Sequence, residues 1–187
     1  MQAARELWKN GTATTEPGRF FFLDESSINT GFTPLYGRSP VGERLNDYVP
    51  DCRFESMTIL SSLRIDGTTE ALVFDGALNG EMFEAYIKKC LSPRLKEGDI
   101  VVMDNLSSHK REGLNEIVEK RGAKIEYLPP YSPDFNPVEN MWSKLKNHLR
   151  KVKERSKDVL FEAVGAALNT ITEQDAKGWF EHCGYCS

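Results

Sequence analysis

Two short stretches, Phe20-Phe21-Phe22-Leu23 and Ile100-Val101-Val102-Met103, are apolar at every position instead of at alternate ones. A strand with one face in water alternates, so both stretches need cover on two sides. Each runs straight into an aspartate, Asp24 and Asp104. The demand for double cover calls for a layered domain with helices above and below a sheet. The rest of the chain supplies the layers. Residues of about 54–64 and 70–75 read as strands joined by an Asp66-Gly67 turn, a good hairpin signal. Apolar residues at 82, 83, 86, 87 and 91 make a helical stripe that stops near Pro93. A helix is expected from a Ser107 or Ser108 cap to Gly122, then a fifth strand over "AKIEYLP". Two more helices follow, at about 137–153 and 156–172, while the Gly- and Pro-rich segment 29–51 reads as a loop. The expected fold is α/β: a mixed five-stranded sheet, three antiparallel strands then two parallel, with helices on both faces.

At 187 residues the chain makes one domain with a substantial core. No apolar run approaches the roughly 20 residues of a membrane-spanning helix. The start, "MQAARELWKNG", lacks a basic-then-apolar leader pattern, so a cytoplasmic, reducing setting is expected. The four cysteines fit that setting as ordinary thiols, including the Cys183-x-x-Cys186 pair, which has no second ligand pair to form a zinc site. Net charge is −4, but Lys144, Lys146, Arg150 and Lys151 open a locally basic run. Such a run is either a solvated helix face or a track for a phosphate backbone.

In sheets with parallel strands, sites form at the carboxyl ends of those strands. Asp24 and Asp104 stand at such ends. A third acid, Glu139, follows a proline track, "LPPYSPDFNPVENMW", that runs stiffly into a helix start. Capping explains part of this: Asn136 suits the cap, Pro137 the first helical position and Glu139 the capping-box position. It does not explain the track. Three converging carboxylates with no lysine or arginine between them repel, raise one another's pKa and ask for a cation. Oxygen-only ligands favour Mg²⁺ or Mn²⁺.

"FLDES", "VVMDNLSSHK" and "PPYSPDFNPVENMWSKLK" together resemble the three catalytic blocks of DDE transposases, most closely the bacterial insertion-sequence branch of the mariner superfamily. The 34 residues between Asp104 and Glu139 resemble the spacing of that branch. The resemblance runs from about Arg19 to Tyr185 and implies an RNase H-like catalytic domain over 19–187. Residues 1–18 are left as an N-terminal remnant or linker, too short for the helix-turn-helix modules of full-length members. It further implies Asp24, Asp104 and Glu139 as catalytic and metal-binding acids, with Asp24 bridging two Mg²⁺ ions (Mn²⁺ as substitute). Asn105, His109 and Asn136 match the polar residues around them. The implied partners are DNA, held mainly through phosphates by Lys144, Lys146, Arg150 and Lys151, and a second copy of the chain in a homodimer. The implied reaction is strand cleavage and strand transfer. The rivals are an RNase H-like nuclease that never joins strands and an inactive, domesticated DNA-binding module.

Overall fold

The computed structural model describes residues 2–49, 51, 53–105 and 113–186. Its sheet contains β1 (Phe20–Asn29), β2 (Ser56–Leu63), β3 (Thr69–Asp75), β4 (Ile100–Met103) and β5 (Lys124–Tyr127), in the spatial order β3-β2-β1-β4-β5. The first three pair antiparallel, while β4 runs parallel to both β1 and β5. This is the mixed sheet the sequence predicts. The Asp66-Gly67 turn closes the β2–β3 hairpin, with Asp66 Oδ1 accepting from the Thr68 amide at 2.9 Å. Gly67 has φ +81°, and a Cβ there would meet the Thr172 backbone at 2.9 Å, so both the turn and its packing require glycine.

The double-sided burial of β1 and β4 is visible in how their residues divide. Phe20, Phe22, Ile100 and Val102 join one core, against α4 (Pro137–Val152), α5 (Lys157–Leu168) and α6 (Glu173–His182). Phe21, Leu23, Val101 and Met103 join the other, against α2 (Gly80–Tyr86), its π-helical continuation to Leu91, and α3 (Leu114–Glu119). Neighbouring residues thus feed opposite layers, as period-two geometry dictates.

Three expectations need correction. First, β1 does not end at Asp24 but continues to Asn29, because β2 keeps pairing with it after β4 has ended. Second, the helix expected at 156–172 stops at Leu168, and a separate α6 starts at Glu173, capped by Thr172, whose hydroxyl and Asp175 form a reciprocal capping box. Third, α3 begins at Leu114, preceded by Gly113 with φ +92°; the caps expected at Ser107 or Ser108 lie outside the described residues. Within the 1–18 segment, Gln2–Thr12 forms a helix, α1, anchored by Arg5 and Trp8 to the body of the domain. Cys90, Cys183 and Cys186 are free thiols.

α6 matters out of proportion to its length. The Phe180 ring meets Phe22 edge-on at 5.2 Å, and Tyr185 just beyond the helix lies 4.8 Å from Phe22. Phe180 is fully buried. Truncation to Ala is expected to cost about 3–5 kcal/mol through lost burial and the cavity left behind. Chemical denaturation of Phe180→Ala against the wild type measures it; a loss below about 1 kcal/mol would show that α6 does not belong to the cooperative core.

Candidate active site

The register of the parallel pair sets the site. Phe20 lies beside Ile100 and Phe22 beside Val102; Asp24 and Asp104 each follow two residues after that last pair. Strand alternation sets Asp24 on the face of Phe20 and Phe22, the face that α4 covers, and Asp104 comes directly after the end of β4. β4 stops at Met103 while β1 runs on, which leaves an opening at that level. A cavity of about 520 Å³ occupies it, lined by Asp24, Asp104, Asn105, the 128–133 segment, Asn136 and Glu139. Three acids far apart in sequence therefore share one cavity.

Glu139 arrives there by a local route. After β5 the chain passes Pro129 and Pro130, a short turn of Pro133–Phe135, then Asn136 and α4. Pro137 takes the first helical position, where its missing amide costs nothing. The Asn136 side chain does two things at once. Its Oδ1 accepts from the Val138 amide at 3.2 Å and caps the helix. Its Nδ2 donates to Asp24 Oδ2 at 3.0 Å, tying the cap to the acid on β1. The Asn136 backbone amide donates to the Pro133 carbonyl at 2.9 Å. That donor is thus already engaged, and Glu139 is not called on as its capping-box partner. Its exposed side chain lines the cavity instead.

The electrostatics reflect this convergence. The Asp24 carboxyl keeps a window onto the cavity but is packed round on most sides. Burial, then the charges of Glu139 and Glu25, push its pKa up to about 7; Asp104 adds to this, and the Glu25 amide, donating to Asp24 Oδ1 at 2.8 Å, opposes it. One element of the sequence reading changes here. Lys146, two turns beyond Glu139, is near enough to feel Glu139 and Asp24, although burial holds its pKa below the usual lysine value. A cation does overlook the acids.

The four basic residues of α4 do not form one track. Lys146 lies on the acid side, and Arg150 sits over the Phe32 ring at 5.2 Å. Lys144 and Lys151 line a separate cleft between α4 and α6, where Lys144 Nζ bonds Asp175 at 2.6 Å and the Thr170 carbonyl at 2.8 Å. Asn105 lies on the cavity wall, and His109 lies outside the described residues. Trp142 is buried in the core beneath the site, as a helix-facing aromatic should be. Sequence reasoning missed Arg5, whose guanidinium grips Asp134 in the proline track; an arginine and a tryptophan three residues apart in "ARELWKNG" are the signal that α1 carried.

Because folding raises the Asp24 pKa, the folded chain holds this proton more tightly than the unfolded one. The associated stability is fully present below the ordinary aspartate value of 3.8 and is lost as pH rises through about 7. The loss is at most roughly 4 kcal/mol. In chelator, Asp24→Asn is therefore expected to melt above the wild type at pH 8 and to match it near pH 4. A melting difference that does not change with pH would contradict the burial and crowding of this group.

Residues 19–160, more than half of the chain, match the model of the DDE superfamily endonucleases. The chain is similar to the Tcb1 transposase of Caenorhabditis briggsae, 26% identical over 108 residues, covering 58% of this chain and 38% of that one. Among solved structures it is similar to the Mos1 transposase paired-end complex with the left transposon end, with a TM-score of 0.73 at 14% identity, over 96% of this chain and 56% of that one. The mariner Mos1 paired-end complex with Mg gives 0.74 at 13% identity, covering 98% and 59%. The Mos1 catalytic domain alone gives 0.65 at 13% identity, covering 96% and 84%. At such identity the structural likeness is one of fold, the RNase H-like fold. The chain spans about two fifths of the Tcb1 transposase and just over half of the Mos1 chains in the complexes. By its sequence and its sheet, the chain belongs to the DDE superfamily endonucleases and has the architecture of a Tc1/mariner-type transposase catalytic domain.

Proposed function

We propose that the domain cleaves and joins DNA strands through Asp24, Asp104 and Glu139, as the catalytic domain of a DNA transposase of the bacterial insertion-sequence branch. The observation that carries this reading is the meeting of the three acids on one cavity, with Asp24 held at about 7 by burial and by its negative neighbours. Lys146 offsets only part of this negative charge, so a further cation is favoured, and the carboxylate oxygens suit a hard divalent ion. Among the described residues no three acids converge on a single point. Pairs suffice, because Mg²⁺ takes one or two carboxylates and fills its shell with water and substrate phosphate. Two Mg²⁺ ions, or Mn²⁺, would be held by Asp24, Asp104 and Glu139, and would supply charge stabilisation to the attacking and leaving oxygens.

The residues of the chain do the positioning. Asn136 and the Glu25 amide fix the two oxygens of Asp24, and the prolines fix the approach of Glu139. Alignment of this kind accounts for a large share of rate in in-line displacement. Water is the nucleophile for cleavage and the freed 3′-hydroxyl for joining, at a TA dinucleotide if the habit of the resembled family holds; no Ser, Tyr or Cys is required. Lys146 and Arg150, on the acid side of α4, receive the phosphate backbone there. Two copies hold two DNA ends, and the 29–51 loop is the surface proposed to join them. It exposes Leu35, Tyr36, Val41, Tyr48 and Val49 to solvent, a concentration of apolar side chains within one loop. No helix among the described residues is long and apolar enough to cross a membrane, and we place the protein's work in the cytoplasm.

Asp24→Ala, Asp104→Ala and Glu139→Ala are each expected to abolish Mn²⁺-dependent nicking of supercoiled DNA while keeping the circular dichroism of the wild type. An Ala variant that nicks at the wild-type rate removes that residue from the site. A pre-cut DNA end offered with target DNA separates a joining enzyme from a nuclease that only hydrolyses. For DNA binding, neutralising Lys146 and Arg150 together is expected to lower the salt-dependence slope by roughly two. Neutralising Lys144 and Lys151 should change it less; equal effects from both pairs would refute the division of α4 into two faces.

A further inference from the structure

The turn that delivers Asn136 and Glu139 contains unfavourable backbone angles. Tyr131 has φ +55°, a left-handed conformation that costs an aromatic residue on the order of 1 kcal/mol or more. Ser132 follows with φ −125° and ψ 54°, outside the regular regions. Prolines fix φ at 129, 130 and 133, but not at these two residues. Tyr131 is exposed, while Ser132 is buried and its Oγ donates to the Pro130 carbonyl at 3.3 Å. Further hold on the Ser132–Phe135 turn comes from α1. Arg5 Nη1 donates to Ser132 Oγ at 2.8 Å and to Asp134 Oδ1 at 2.9 Å, and Nη2 donates to Asp134 Oδ2 at 2.5 Å. The same guanidinium lies 4.3 Å from the centre of the buried Phe135 ring. Trp8 Nε1 donates to the Tyr185 hydroxyl at 3.0 Å, and that hydroxyl donates to the Phe135 carbonyl at 2.7 Å. The next residue is Asn136, bonded to Asp24.

We propose that α1 is a positioning strap for the acid site: Arg5 directly, and Trp8 through Tyr185, hold the Ser132–Phe135 turn so that Asn136 and Glu139 meet Asp24. This rests on the three acids being the catalytic groups. A planar fork suits the task, because two parallel bonds to one carboxylate fix angle as well as distance. Its worth to global stability is small, since Arg5 and Asp134 are both partly open to water, where ion pairs contribute little. The strap therefore acts on geometry more than on folding.

That difference makes the idea testable with Arg5→Ala, and with Asp134→Asn, which leaves the sequence of α1 untouched. Both are expected to speed hydrogen exchange at the amides of Phe135 and Asn136 by roughly tenfold or more, with the β4 amides unchanged. In Mn²⁺-dependent nicking both should lose about tenfold or more in kcat with KM for DNA and melting temperature nearly unchanged. The reversed pair, Arg5→Asp with Asp134→Arg, should recover most of that loss, and Arg5→Lys only part, because lysine lacks the fork. Unchanged exchange at 135 and 136, or exchange that rises equally across the sheet, overturns the strap. So does a kcat loss in the single variants that the reversed pair fails to restore. Asp24→Ala is the control for the underlying reading: if it still nicks, the acids are not catalytic, whereas an inactive Asp24→Ala beside a fully active Arg5→Ala sinks the strap alone.

Discussion

One side-chain amide joins the two halves of this site. Asn136 caps α4 with its oxygen and holds Asp24 with its nitrogen. The sheet and the helix that carry the acids are therefore not independent bodies that happen to lie close. Their relative placement is set at a buried, fully directional contact. Aspartate could cap the helix equally well, but it would bring a fourth negative charge against Asp24. Asparagine is the cap that can donate to a carboxylate while accepting from the helix.

Much of the fold was legible because the strongest signals were physical demands. FFFL and IVVM had to be covered twice, and the structure covers them twice, with successive residues feeding two cores. Asp-Gly closed the hairpin where expected. The boundaries were less legible. The sequence shows where an apolar run ends but not how far a neighbouring strand will keep pairing, which is why β1 outlasts Asp24. α1 was hidden because none of its residues is fully buried; its attachment is through one arginine fork, one indole and a ring contact.

For the site, sequence placed Asp104 just past the end of a strand and Glu139 in the first turn of a helix, while Asp24 lies inside β1, two residues beyond its last pairing with β4. What it could not supply was direction around a helix axis for polar residues. Four basic residues within eight positions of α4 look like one surface when written in a line. Folded, Lys144 and Lys151 line a cleft shared with α6, while Lys146 feels the charges of Glu139 and Asp24 and Arg150 lies over the Phe32 ring. The apolar stripe of α4 was readable, since burial enforces it, whereas nothing local tells a lysine which neighbour it will find.

The protonation of Asp24 has a thermodynamic consequence. Near neutrality this carboxyl is shared between its two charge states. Any divalent ion that takes it as a ligand must expel the hydrogen still bound to it. Loading of the site is then an exchange of one cation for another, and its apparent heat depends on which buffer receives the released proton.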